Sequence, residues 1–244
     1  VKLFNFLKKK TPEFEFIDVS RQTYHRLPVQ RAQDVTPKSK ANQIEKYGVF
    51  KFPHCPGIID YSRLGYIIPA WVDMKIFANK AGVIGEIGSA IRGDRGFRPP
   101  INMDASIVDG FFTPEDGVPL TVIKFECPWY IRTSKNISAL CLPPLYHATW
   151  LDDLHLWSGS VDYEKFSVTN FICSPKRKCN VHIKAGEPLL HIIPFYGKDI
   201  VAGYGPGTDA QVDYTKNEAY GDTPQFYRKL YAVKKIFKLN RKEP

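Results

Sequence analysis

The sequence predicts a mainly β protein: an antiparallel β-sandwich or jelly-roll-like barrel, preceded by an extended N-terminal arm and followed by a C-terminal amphipathic helix. Three observations carry this expectation. Short stretches of alternating apolar and polar residues recur through the middle of the chain, which is the period-2 pattern of strands with one buried face. Aromatic residues make up 14% of the chain, and 19 prolines stand against two methionines, a balance that suits strands and ordered loops better than a helical bundle. A chain of 244 residues is also long enough to bury a sizeable core beneath one large β domain with appendages. The expected division is a basic arm or connector over residues 1–47, a β core over 48–202, a glycine-containing linker over 203–222, and a basic helix and tail over 223–244.

Taken in order, residues 11–17 form a candidate strand with Phe14 and Phe16 on one face. Residues 20–46 hold Pro28 and Pro37 and few periodic apolar positions, so they read as an extended arm of the kind that lies on a neighbouring subunit or folds back on its own domain. From residue 48 the strand signals are dense. Val72, Met74 and Ile76 alternate with Asp73 and Lys75, and Ile123, Phe125 and Cys127 alternate with Lys124 and Glu126. Residues 137–142 and 154–161 are further strands. Residues 158–195 organise the rest, as three or four strands closing one sheet. Within them Val181 and Ile183 end a strand, Gly186 offers a positive φ, and Pro188 fixes the exit into residues 189–195, which predicts a hairpin.

Residues 82–100 interrupt the pattern with Gly82, Gly85, Gly88, Gly93 and Gly96 and the basic Arg92, Arg95 and Arg98. No Gly-Lys-Ser/Thr follows these glycines, so a basic surface loop is expected there in place of a phosphate cradle. Cys173, Cys179 and His182 offer three metal donors, but the gap between the cysteines is not that of a zinc knuckle and no fourth donor is identifiable. Asp152, Asp153 and His155 lie between Trp150 and Trp157, where alternation explains an exposed face. His191 reads as an ordinary packed or surface histidine. No metal and no cofactor is expected.

Five scattered cysteines, without the paired spacing of a disulfide framework, fit a reducing compartment. No run of 18 apolar residues exists, and Leu3 and Phe4 precede the first lysine cluster, the reverse of a signal peptide, so no membrane contact is expected. The net charge of +9 is concentrated at the ends, in Lys2, Lys8, Lys9 and Lys10 and in seven lysines and arginines between 228 and 242. Such ends suit docking on acidic surfaces or simple solvation.

Several motifs carry a resemblance. Residues 55–60 (Cys-Pro-Gly-Ile-Ile-Asp) and 65–73, together with Pro128-Trp129, residues 159–162, Asn170-Phe171 and residues 193–195, resemble a family of poorly characterised tailed-bacteriophage proteins, some of them virion components. The resemblance spans roughly residues 48–196 and implies a structural part assembled in the host cytoplasm and located in the virion. Its implied partners are other virion proteins, in a homo-oligomer or ring, with non-specific contact to packaged DNA. A second stretch, residues 159–163 followed by 183–193, is similar to the dUTPase and dCTP-deaminase β-clip family, in which Asp162 would be the base that orients a water. Here Glu164 and Lys165 stand where that family has Arg-Gly, and no serine-rich phosphate motif is evident.

The last element is a predicted helix over residues 223–239. Thr223 is a suitable N-cap and Pro224 suits the first helical position. Phe226, Leu230, Val233 and Phe237 recur at helical spacing and form one apolar stripe. These four residues, with Lys8, Lys9 and Lys10, are the expected partner-binding set. The function expected is binding within a particle, with nucleotide hydrolysis through Asp162 as the alternative.

Overall fold

The computed structural model describes residues 13–20, 27–35, 56–88 and 100–196. The chain divides into two compact units, one formed by Val1–Gly48 with Tyr61–Lys198 and the other by Val49–Asp60 with Asp199–Pro244. Among the described residues the second unit contributes only the start of one helix, and every strand belongs to the first.

The described chain is mainly β, and every strand pairing in it is antiparallel. Its elements are β1 (Phe14–Asp18), β2 (Gln30–Arg31), α1 (Pro56–Arg63), β3 (Tyr66–Pro69), β4 (Met74–Asn79), β5 (Gly82–Ile87), β6 (Ile101–Met103), β7 (Val122–Thr133), β8 (Ile137–Leu142), β9 (Leu154–Leu156), β10 (Gly159–Val161), β11 (Val168–Pro175), β12 (Cys179–Ile183) and β13 (Pro188–Tyr196). Three sheets result. The first runs β1-β7-β11-β9, the second β10-β8-β13-β3-β2 and the third β12-β4-β5.

Strand β7 is the spine of the first sheet because it is long enough to serve two partners on one edge. Its start pairs with β6 and its end with β1, while β11 pairs along its other edge. Pro128 sits mid-strand, where a missing N–H would normally cost a ladder bond. The register with β11 slips at that point, between Val168 opposite Tyr130 and Asn170 opposite Glu126, so the proline falls in a bulge. Its carbonyl still accepts from the Val19 N–H at 3.0 Å.

The alternation read from the sequence places the core. Ile123, Phe125, Cys127, Trp129 and Ile131 of β7 are buried, while Lys124 and Glu126 between them are not. Phe125 packs against Phe171 with ring centroids 5.5 Å apart, and Trp150 meets Phe171 edge-on at 5.6 Å. Met74, Ile76 and Ala78 of β4 and Val181 and Ile183 of β12 join the same core. Gly85 of β5 lets the third sheet come close, since a Cβ there would stand 3.1 Å from an Ile123 methyl and 3.3 Å from the Phe125 ring.

Several expectations need correction. Residues 158–195 do not close one sheet: β10 and β13 belong to the second sheet, β11 to the first and β12 to the third. The turn at Gly186 has the expected positive φ, +91°, but β12 and β13 do not pair as a hairpin. Instead Ala70 donates to the Glu187 carbonyl and accepts from the Gly186 N–H, at 2.7 and 2.8 Å, pinning the turn where the chain changes sheets. Turn chemistry alone does not say whether the flanking strands meet each other. The glycine-rich segment beginning at residue 82 is strand β5 through Ile87, paired with β4 along its whole length. The candidate strand over residues 11–17 is present as β1, in the first sheet, whereas within residues 20–46, read as an arm, β2 is a strand of the second sheet and Ala32 is buried. Residues 154–161 form two short strands in different sheets.

Candidate functional site

The motif that pointed to hydrolysis lies in the turn after β10. The Asp162 carbonyl accepts from the N–H groups of Lys165 and Phe166 at 3.1 and 3.0 Å. Its carboxylate is equally engaged: Oδ1 accepts from the Glu164 N–H at 3.1 Å and Oδ2 pairs with Lys165 Nζ at 2.9 Å. The Lys165 ammonium, helped by the backbone bond, holds this exposed carboxyl below the usual range. A general base works best with a pKa near the working pH, and this arrangement moves Asp162 away from it. Tyr163, next in the chain, turns inward, where its hydroxyl reaches Thr169 Oγ1 at 3.1 Å and Cys141 Sγ at 3.4 Å. Burial drives that phenol far above its usual pKa. This turn is an anchor made from its own side chains.

The metal candidates are dispersed in the same way. Cys173 is fully buried in β11 and its thiol is pushed up by desolvation, while His182 on β12 faces Asp73 at 3.5 Å. Asp153 pairs with Arg177 at 2.8 Å, and His155 stacks on Phe112 with centroids 5.1 Å apart and meets Trp157 edge-on. Among the described residues no group of three or more His, Cys, Asp or Glu side chains is placed to hold a metal ion. Cys127, Cys141, Cys173 and Cys179 are free thiols.

An open groove of about 630 Å³ lies between the β4–β5 turn and the loop at Asp116, lined by Asn79, Lys80, Ala81, Asp116 and Lys178. Two lysines and one aspartate contribute to this lining, and Asp116 Oδ2 accepts from the Lys178 backbone N–H at 3.3 Å.

A second buried polar cluster gathers around His191 and has no counterpart among the sequence motifs. His191 in the middle of β13 is fully buried, and its Nε2 lies 2.6 Å from the Leu64 carbonyl in the turn after α1. Among the described residues its Nδ1 has no hydrogen-bond partner. Tyr61 meets its ring edge-on at 5.2 Å and His147 approaches at 6.2 Å, while Tyr146 meets Tyr61 edge-on at 5.9 Å. Desolvation lowers the His191 pKa against the opposing pull of the Leu64 carbonyl, and raises that of Tyr61. The available signal was the alternation itself: His191 sits between two core residues, which sends it to the opposite face of the strand, and nothing in a period-2 pattern says whether that face is wet.

The expected partner-binding residues Phe226, Leu230, Val233, Phe237, Lys8, Lys9 and Lys10 lie outside the described residues, as do Arg92, Arg95 and Arg98. No helix among the described residues is long and apolar enough to cross a membrane. No family model matches the chain, and neither a curated protein nor a solved structure does.

Proposed function

We propose that this chain is a structural component of a tailed-bacteriophage virion that acts through protein–protein contacts. In this reading the antiparallel sheets form a sandwich or jelly-roll-like body, and the basic N-terminal arm and the C-terminal amphipathic helix are its contact elements. The resemblance over residues 48–196 supplies the setting. The observation that carries the binding reading is the state of Asp162: the carboxylate that a dUTPase-like or dCTP-deaminase-like enzyme would use is exposed, neutralised by Lys165 and committed to its own turn. Exposed apolar side chains such as Ile84 on edge strand β5, and Phe111, further favour a role in contacts.

The partners in this reading are other virion proteins, including further copies of the chain in a ring or other homo-oligomer, with non-specific contact to packaged DNA through the basic ends. Removing residues 223–244 tests it. The truncated chain is expected to stay soluble and fold cooperatively but to be lost from assembled particles. A truncated chain that unfolds or aggregates would assign the helix to its own core and remove the docking role. Incubation with dUTP or dCTP and magnesium provides the second arm, since rapid turnover dependent on Asp162 would replace the structural reading with the enzymatic one.

A further inference from the structure

The turn at Leu64 and Gly65 is tied to the second sheet at three points. The Leu64 carbonyl receives His191 Nε2, the Gly65 carbonyl receives the Ala32 N–H at 3.0 Å, and Gly65, at φ +66°, lies so close to the Ile192 carbonyl that a Cβ would collide with it. Two of these ties are fixed by backbone geometry. Only the first involves a group that changes charge near neutral pH.

Among the described residues, the surroundings of His191 are poor in compensation for a charge. Tyr61 faces it from the end of α1, and His147 faces it from residues 143–148, where Tyr146 in turn meets Tyr61. Its neighbours across the sheet are Ile67 on β3 and Leu142 on β8, both aliphatic. Asp60 and Arg63 of α1 are exposed. A neutral imidazole with its proton on Nε2 satisfies Leu64 and leaves Nδ1 as a bare acceptor. A protonated ring keeps that bond but adds a second donor where no acceptor stands among the described residues, and brings a positive charge beside a second imidazole.

We propose that His191 is a pH-sensitive latch that holds residues 61–65 against β13 while its imidazole is neutral and releases them on acidification. The released state gives the His191 imidazole access to water, so the proton stabilises the open arrangement and not the closed one. This inference rests on the buried cluster alone and is independent of the virion reading.

Hydrogen exchange of the full chain, followed by mass spectrometry and corrected for the intrinsic pH dependence of exchange, tests the latch. Between pH 7.5 and 5.5 the opening equilibrium of residues 61–65 is expected to rise about tenfold, the change that one unit of titration below an ordinary histidine pKa supplies. Amides of β7 and β11 should keep their protection. In His191→Gln, whose amide can still donate to Leu64 but does not titrate, the rise should largely vanish. A rise of the same size in His191→Gln, no rise in the wild type, or a loss of protection spread evenly over β7 and β11 would each overturn the latch. Should His191→Gln fail to fold, imidazole NMR on the wild-type chain decides. A His191 titration that coincides with loss of residue 61–65 signals supports the latch, and one that leaves them unchanged overturns it.

Discussion

The two faces of the second sheet differ within single strands. On one face Ile68, Ala139, Cys141, Leu190 and Ile192 enter the common core. On the other, Ile67, Leu142 and His191 lie in register across β3, β8 and β13, with Tyr61 edge-on to the histidine. Both faces bury their central side chains: His191 is as inaccessible as Ile192. The difference lies in what holds them. The core face is held by apolar burial, which is indifferent to pH, and the opposite face by a hydrogen bond from a titratable ring. Burial alone therefore does not mark the rigid part of a sheet.

The largest expected effect is on the core face. Ile192→Ala should cost about 2–5 kcal/mol, because it removes buried methylenes and leaves a cavity. Urea denaturation should show the same loss at pH 5.5 and pH 7.5, and a strongly pH-dependent loss would break the distinction between the faces. Gly65→Ala comes next, at about 1–3 kcal/mol for a strained positive φ, and more if the Ile192 carbonyl cannot yield to the new Cβ. Thermal denaturation of that variant measures it, and an unchanged midpoint would deny the close approach.

His191→Gln should cost about 1 kcal/mol at neutral pH, the usual scale of a single substitution, because the amide can keep the bond to Leu64 but does not reproduce the packing of the ring. Its diagnostic effect is on pH dependence. Burial lowers the folded-state pKa of His191, so between that value and the ordinary value of about 6.5 the unfolded chain binds more protons than the folded one. The wild type should thus be unaffected by this group above about pH 6.5 and lose stability as the pH falls through the window below it. The variant should show a flatter acid limb in denaturation experiments repeated across that range. Asp162→Asn should have the smallest effect, a slight loosening of an exposed turn detectable as faster exchange at Lys165 and Phe166, with the denaturation midpoint close to that of the wild type.

Much of the core was legible because it obeys a local rule. Ile123, Phe125 and Cys127, and likewise Met74 and Ile76, could be assigned to a buried face from alternation without knowing their partners. Partnership itself was not legible. Strands β10 to β13 follow one another in the chain yet divide among three sheets, because pairing depends on which edges the rest of the fold presents. Strand β5 was hidden by its glycines, which weaken the strand signal but at Gly85 leave room for the Ile123 and Phe125 side chains of β7. At the candidate sites, Asp162 was found from a motif, while its commitment to Lys165 is visible only in three dimensions. The histidine cluster joins residues 61, 147 and 191, and no local pattern connects positions so far apart in the chain.

The same contrast, between a conspicuous but occupied carboxylate and quiet surfaces available for contact, underlies the functional proposal. Its central claim is that the chain works as a part of a particle and not as an enzyme in the infected cell. Quantitative mass spectrometry of purified virions tests this most directly. This chain is expected in the particle at a fixed copy number relative to the major structural proteins, retained through salt washing and gradient purification. Its absence from purified particles, with the protein recovered only in the soluble lysate of infected cells, would contradict the account.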